Sequence, residues 1–214
     1  MNKRASVSCI AIDFDDTLAS LEGGKGALLG FFAKSLPFEE VVSVYQEIRV
    51  TPEGFSPQRL IEKILEKNPS IHCDKEELLR EFAEWLRVSL KLFPEVYEVI
   101  EKWRKKVPVV IVSAGNEVFQ REKITFTKVP HDACYVTAMG KKTEVIAQLL
   151  NIYSSPIAFI DDKRDELQVV KDDKRLVDKV RLVLLDRNKC ASISEYFLAE
   201  SLRDKKLNEV LNLE

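Results

Sequence analysis

The stretch VSCIAIDFDDTL, Val7 to Leu18, constrains this chain more than any other. Val7, Cys9, Ile10, Ala11 and Ile12 form an apolar run with no polar face, the pattern of a central strand covered on both sides in a parallel sheet. The run stops abruptly at Asp13, Asp15, Asp16 and Thr17. Polar groups are thereby delivered to the carboxyl end of a strand, where open α/β sheets bind their ligands.

Spacing adds to this. Successive strand residues point to opposite faces, so Asp13 and Asp15 are expected to project together into one site while Phe14 enters the packing. At a separation of about 7 Å and an effective dielectric of about 20, two such carboxylates repel by roughly 2 kcal/mol. A counter-cation removes that cost, and hard oxygen donors in a partly dry crevice suit Mg2+. A single Asp or Thr here would be an ordinary turn or cap residue. Capping alone does not account for the whole string behind a buried strand.

With 214 residues, the chain has room for one ordinary domain carrying a sizeable insertion, or for two small domains. Its 33 Lys and Arg nearly balance 35 Asp and Glu, and no long block of one sign suggests a nucleic-acid arm or a membrane patch. The four cysteines, Cys9, Cys73, Cys134 and Cys190, are scattered, as expected of small core residues in a reducing compartment. There is no C-x-x-C, and His72 and His131 lie in unrelated stretches, which excludes a recognisable zinc pattern. Lys3 and Arg4 precede an apolar run too short for a signal sequence, so the expectation is a soluble, cytoplasmic protein.

Beyond the first strand, Gly23, Gly24, Gly26 and Gly30 predict a flexible turn into a weak helix, with a hinge between two bodies. The GGKG string lacks the phosphate-loop spacing. Phe38, Val41, Val42, Tyr45 and Ile48 begin a helical stretch. Ser56-Pro57 caps a helix bearing Leu60, Ile61, Ile64 and Leu65, and Asp74 opens one bearing Leu78, Leu79, Phe82, Trp85, Leu86 and Leu90. Phe93-Pro94 ends this all-helical insertion, and a further helix covers Glu95 to Lys106.

Four more strands are predicted, at Val107 to Val112, Ala133 to Thr137, Pro156 to Ile160 and Val180 to Leu185. One or two helices close the chain over Ile193 to Leu213. Strands alternating with helices imply an α/β, Rossmann-like parallel sheet with helices on both faces. Ser113 and Ala114, Asp161 and Asp162 then fall at strand ends, and Lys142 begins the KTEVIAQLL helix, ahead of its neighbour Lys141 as a candidate. A lysine at a helix N-terminus opposes the helix dipole by some tenths of a kcal/mol, a conflict that a nearby anion removes.

Asp13-Phe14-Asp15-Asp16-Thr17-Leu18 resembles the first motif of the haloacid dehalogenase superfamily, D-x-D-x-T-[LV] after an apolar strand. Ser113, Lys142 and the Asp161-Asp162 pair resemble the second, third and fourth motifs in the expected order. The resemblance implies a core of residues 1–20 and 93–214 and a helical C1-type cap of residues 21–92. It implies a Mg2+-dependent phosphatase acting on a small phosphorylated metabolite. Asp13 would be the nucleophile and Asp15 the general acid and base. Asp13, Asp162 and the Asp15 main-chain carbonyl would hold Mg2+. Ser113, the Ala114 amide and Lys142 would bind phosphate. Asp161 and Thr17 would support them, with Asp165 or Glu166 as the further acid of the fourth motif.

Other chemistries share this superfamily. Dehalogenases lack the second acid of the first motif, so Asp15 argues against them; phosphonatases and phosphomutases remain open. From a different class, a phospho-receiver or regulatory domain without turnover would also cluster acids at strand ends. Receivers, however, lack the helical insertion and carry the phospho-acceptor on a later strand. Lys25, Arg49 and Arg59 are candidates for contacting substrate from the cap.

Overall fold

The computed structural model describes residues 5–187, 189 and 196–213. Its first strand, β1 (Ile10–Ile12), is fully buried and leads through the acidic loop into β2 (Ala19–Leu21). Four helices follow: α1 (Gly24–Phe32), α2 (Phe38–Ile48), α3 (Pro57–Lys67) and α4 (Lys75–Ser89). The chain returns along β3 (Leu90–Leu92) into α5 (Val96–Arg104), β4 (Val109–Ala114) and α6 (Glu117–Thr127). Then come β5 (Ala133–Thr137), α7 (Lys142–Ile152), β6 (Ile157–Asp161), α8 (Arg164–Asp172), β7 (Val180–Leu185), β8 (Phe197–Ala199) and α9 (Lys205–Leu211).

The six-stranded sheet of the described residues runs β5-β4-β1-β6-β7-β8, and every pairing in it is parallel. From β1 the chain builds β4 and β5 on one side, then crosses back to build β6, β7 and β8 on the other. This reversal opens a crevice at the carboxyl end of β1, between β4 and β6. The registers Ile12↔Ile111 and Ile12↔Ile160 bring the ends of all three strands to one level. Ala11, Val110, Val112 and Phe159 face one helical layer and Ile10, Ile12, Ile111 and Ile160 the other, so each face of the sheet is covered.

The inserted helices form as their sequence directs. Ser56 Oγ accepts from the Arg59 amide at 3.2 Å with Pro57 in the first turn, and Asp74 Oδ1 accepts from the Glu77 amide at 3.0 Å. Leu60, Ile61 and Ile64 are completely buried, each contributing roughly 1.5–3 kcal/mol by leaving water. Phe32 stacks on Phe82 at 4.9 Å, and Phe55 and Phe82 meet Phe119 of α6 at 5.5 and 6.1 Å. The insertion therefore shares a continuous apolar cluster with one face of the sheet.

Three short strands differ from expectation. The passages into and out of the insertion pair with each other: β2 and β3 form an antiparallel ribbon, Ala19↔Leu92 to Leu21↔Leu90. Leu90 thus belongs to a strand, although its spacing from Leu86 continues the helix. At the far end, part of Ile193 to Leu213 forms strand β8 beside β7 rather than helix alone. Residues 193–195 of that segment, and Cys190, lie outside the described residues. Cys9, Cys73 and Cys134 are free thiols, and burial pushes Cys9 up to about 12.

Candidate active site

The site is assembled at the ends of β1, β4 and β6 by side chains that the sheet cannot pair. Lys142, the first residue of α7, is 2 % exposed and donates to Asp13 Oδ1 and to Asp161 Oδ2, each at 2.7 Å. Its neighbour Lys141 is exposed, so Lys142 is the lysine in the site. Asp161 is satisfied at both oxygens, because Oδ1 accepts from the Lys163 amide at 2.8 Å. Thr17 Oγ1 donates to Asp162 Oδ1 at 3.2 Å and reaches Asp13 Oδ2 at 3.5 Å.

Asp13, Asp161 and Asp162 each offer an oxygen within 4.8 Å of the others. The Lys142 ammonium pairs with Asp13 and Asp161 but not with Asp162, and the charge of Lys163 also acts on all three; three carboxylates this close form a donor set that fits a hard divalent cation. The strain shows in their protonation. Burial first, and then the charge of Asp13, push Asp161 up to about 7 and Asp162 up to about 6. For Lys142, burial pulls downward, but the charges of Asp13 and Asp161 outweigh it and hold the ammonium above its ordinary range.

Asp15 is not part of this cluster. The regular pleat of β1 ends at Ile12, and Asp15 turns instead toward α6, where Lys123 Nζ lies 2.5 and 2.6 Å from its two oxygens. Gln120 Nε2 bridges Asp15 Oδ2 and the Ala114 carbonyl at 3.0 Å each. Burial alone would raise Asp15; the charge and hydrogen bond of Lys123, with Gln120, overcome it and hold the carboxyl below its ordinary value. The expected pairing of Asp13 and Asp15 on one face thus becomes two neighbouring environments, one rich in acid and one neutralised.

Ser113 is 1 % exposed and its Oγ has no hydrogen-bond partner. A buried hydroxyl left unpaired at a strand end beside these acids is a ready donor for an incoming oxygen. Ala114 and Gly115, the latter at φ +134°, line the adjoining cavity. Asp16, at φ 58°, lines it too and adopts a left-handed turn that Asp tolerates. Asp165 and Glu166 sit in the first turn of α8, Asp165 exposed and Glu166 half-buried, and neither joins the clustered carboxylates.

Gln120, Lys123 and Arg187 were not singled out by sequence. Gln120 and Lys123 stand three apart on the first helix after Ser113, a spacing that places both on one face. Arg187, just beyond β7, donates to the Thr17 carbonyl through Nε (3.0 Å) and Nη2 (2.7 Å), and to Glu95 Oε1 through Nη1 (2.7 Å). Of the three cap candidates, Lys25 and Arg49 line the cavity, whereas Arg59 is bonded to Thr51 and Gly54 within the insertion. A separate hollow between α5 and α9, around Trp103, holds none of these acids at the strand ends.

No family model matches the sequence, and no curated protein does. Solved structures do. A Burkholderia xenovorans protein described as haloacid dehalogenase-like hydrolase superposes with a TM-score of 0.69 at 15% identity, covering 92% of this chain and 94% of that one. A Bacillus subtilis protein described as a HAD-hydrolase, bound to magnesium, gives 0.60 at 15% identity over 97% and 100%. The L-2-haloacid dehalogenase of Xanthobacter autotrophicus, with chloropropionic acid covalently bound, gives 0.61 at 9% identity over 94% and 98%. The chain has the fold of the haloacid dehalogenase-like hydrolases.

Proposed function

We propose that the chain is a Mg2+-dependent phosphatase of the haloacid dehalogenase superfamily, hydrolysing a small phosphomonoester. The observation that carries this is the convergence of Asp13, Asp161 and Asp162 within 4.8 Å, with Lys142 paired to Asp13 and Asp161 and the Asp162 carboxylate left over as excess charge. Displacing a halide with one carboxylate has no need of that excess charge, whereas holding a cation against a phosphate does.

Asp13 and Asp162 have oxygen capacity to spare and would hold Mg2+ with the main-chain carbonyl of Asp15. Bound there, the ion supplies positive charge against the phosphate oxygens. Lys142 fixes Asp13 through Oδ1 and offsets charge on the phosphoryl group, while Asp161 orients Lys142. Ser113 Oγ donates to a phosphate oxygen. A carboxylate oxygen of Asp13 attacks phosphorus, the bond to the leaving oxygen breaks, and that oxygen takes a proton from Asp15. Asp15 then takes a proton from water as the water's oxygen attacks the aspartyl-phosphate, freeing phosphate and Asp13.

Lys123 holds the Asp15 carboxyl below its ordinary value, favouring the ionised form. The incoming phosphate dianion must therefore raise the proton affinity of Asp15 before it can act as an acid. Residues 21–92 serve as the cap and residues 1–20 with 93–214 as the core. Gly54 of the α2–α3 loop abuts the Gly115 backbone, and the Met139 amide donates to the Pro52 carbonyl, so this loop closes directly on the serine strand end.

The test is hydrolysis of para-nitrophenyl phosphate with and without Mg2+, by wild type and Asp13→Asn, beside chloride release from 2-chloropropionate. Activity on the phosphate that requires both the metal and Asp13 is the expected result. Metal-independent chloride release without phosphate hydrolysis overturns the proposal in favour of a dehalogenase.

A further inference from the structure

Between the acids and the inserted helices lies a cavity of about 300 Å³. On its core side stand Asp15, Asp16, Lys123 and Lys163, with Lys123 already neutralised on Asp15. On its far side stand Lys25, Tyr45 and Arg49, and no carboxylate of the insertion lines it. Lys25 Nζ lies 4.8 Å from the centre of the Tyr45 ring and the Arg49 guanidinium carbon 6.0 Å from it. Two cations are thus held against one aromatic ring without a neutralising acid. Both are exposed to solvent at the cavity's rim, where cation–π contacts position them and an anion lying between them would pair with both.

The wall leading inward from Tyr45 is aromatic. Tyr45 meets Phe55 at 5.3 Å and Phe55 meets Phe119 at 5.5 Å, with Leu28, Leu86 and Met139 beside them. A polyhydroxylated leaving group would strip its water against the aromatic stretch of the wall, which offers no hydrogen bonds between the polar groups at its two ends. A flat ring gains apolar contact and offset stacking.

We propose that the substrate is an aryl or heteroaryl phosphomonoester whose ring carries a second anionic group, the ring lying along Phe55 and Phe119 and the anion between Lys25 and Arg49. This rests on the phosphatase reading of Asp13 and Asp15. The second anion is bound and not cleaved; only the bond from phosphorus to the ring's oxygen breaks, and that oxygen leaves with the proton from Asp15.

The experiment compares phenyl phosphate with 4-carboxyphenyl phosphate and 1,4-phenylene bisphosphate, for wild type, Lys25→Gln, Arg49→Gln and the double variant. Taking the ratio of kcat/KM between substrates cancels any general loss. Wild type is expected to favour the doubly anionic substrates over phenyl phosphate by about tenfold or more, the worth of about 1.4 kcal/mol. In the double variant that preference collapses toward unity, and in wild type it shrinks as salt rises. The better of the two doubly anionic substrates shows whether a carboxylate or a phosphate is preferred. No preference in wild type, or a preference that survives in the double variant, overturns the inference. If no aryl phosphate turns over, the same subsite is read by NMR titration with 4-hydroxybenzoate against phenol. Binding of the former that requires Lys25 and Arg49 sustains the anion subsite while the phosphatase falls; no such binding removes both.

Discussion

Replacing Lys142 with methionine tests whether the acids at the strand ends are held by one buried charge. The ammonium lies 2.7 Å from both Asp13 and Asp161, and the three side chains are 2 %, 3 % and 0 % exposed. Methionine keeps most of the stem and removes the charge, leaving two carboxylates in a dry site. Breaking a buried pair from one side costs about 3–5 kcal/mol. For a chain of this size that is about 6–20 °C in Tm, at roughly 2–4 °C per kcal/mol. The loss must depend on pH, with a sign set by Asp161. Burial and the charge of Asp13 already raise that carboxyl to about 7 against the pull of Lys142; without the ammonium it rises further. A carboxyl raised on folding adds stability that is full at low pH and lost as pH climbs through the folded value. Lys142→Met should therefore lose less at pH 5, where Asp161 can carry its proton, than at pH 8. Thermal unfolding in chelator at both values measures this, with Lys141→Met, at an exposed position, expected within about 0.5 kcal/mol of wild type. Adding Asp161→Asn to Lys142→Met should recover part of the loss at pH 8. A variant as stable as wild type at pH 8, or equally destabilised at both pH values, refutes the reasoning.

Lys123→Met removes the charge that holds Asp15 low, so the Asp15 carboxyl titrates at higher pH, seen by carbon-detected NMR. Because a depressed carboxyl stabilises only above its unfolded value, the variant should lose about 1 kcal/mol at pH 7, a modest figure since Asp15 is about one-third exposed, and lose less as pH falls through the Asp15 range. An unmoved Asp15 titration would show that Lys123 is not its controlling partner. Gly54 and Gly140 both have positive φ, +67° and +71°, but a Cβ on Gly54 would stand 3.0 Å from Gly115 Cα while one on Gly140 meets nothing within 4 Å. Both alanine variants carry backbone strain of roughly 1–2 kcal/mol; only Gly54→Ala should also lower kcat/KM, and equal kinetics in the two would detach the α2–α3 loop from the site.

Legibility in the sequence followed the strength of the local signal. β1, β4 and β6 are continuous apolar runs that end in Asp or Ser, and β7 is one broken only by Arg181, so both the strands and the residues at their ends can be read directly. Ser56 and Asp74 cap helices where their side-chain chemistry says they should. By contrast, β2, β3 and β8 are three residues each, too short for an alternation to show, and they exist because a neighbouring strand pairs with them. Leu90 reads as helix since it lies four residues beyond Leu86, and only the pairing with Leu21 draws it into the ribbon. Lys123 presents the same difficulty in the site. On an amphipathic helix a lysine reads as a solvated residue, and its contact with Asp15 depends on where α6 is laid against β1, which no window of sequence contains.

Arg187 carries this point furthest. It stacks 3.7 Å from the centre of the Phe93 ring, bonds Glu95 and grips the Thr17 carbonyl twice, with 10 % of its side chain exposed. Phe93 and Glu95 lie where the chain leaves the inserted helices, and Thr17 closes the loop that carries Asp13 and Asp15. Hydrogen bonds to a charged group are worth about 1.5–3 kcal/mol each when neither partner can turn to water. The return from the insertion is therefore tied to the acidic loop through one side chain that follows β7, far from both in sequence. A displacement of the insertion that moved Phe93 would strain the Thr17 bonds and shift Thr17 Oγ1 against Asp162 and Asp13. Closure of the insertion and the geometry of the acids are in this way one mechanical problem, and a site made of strand-end residues alone would have no such link.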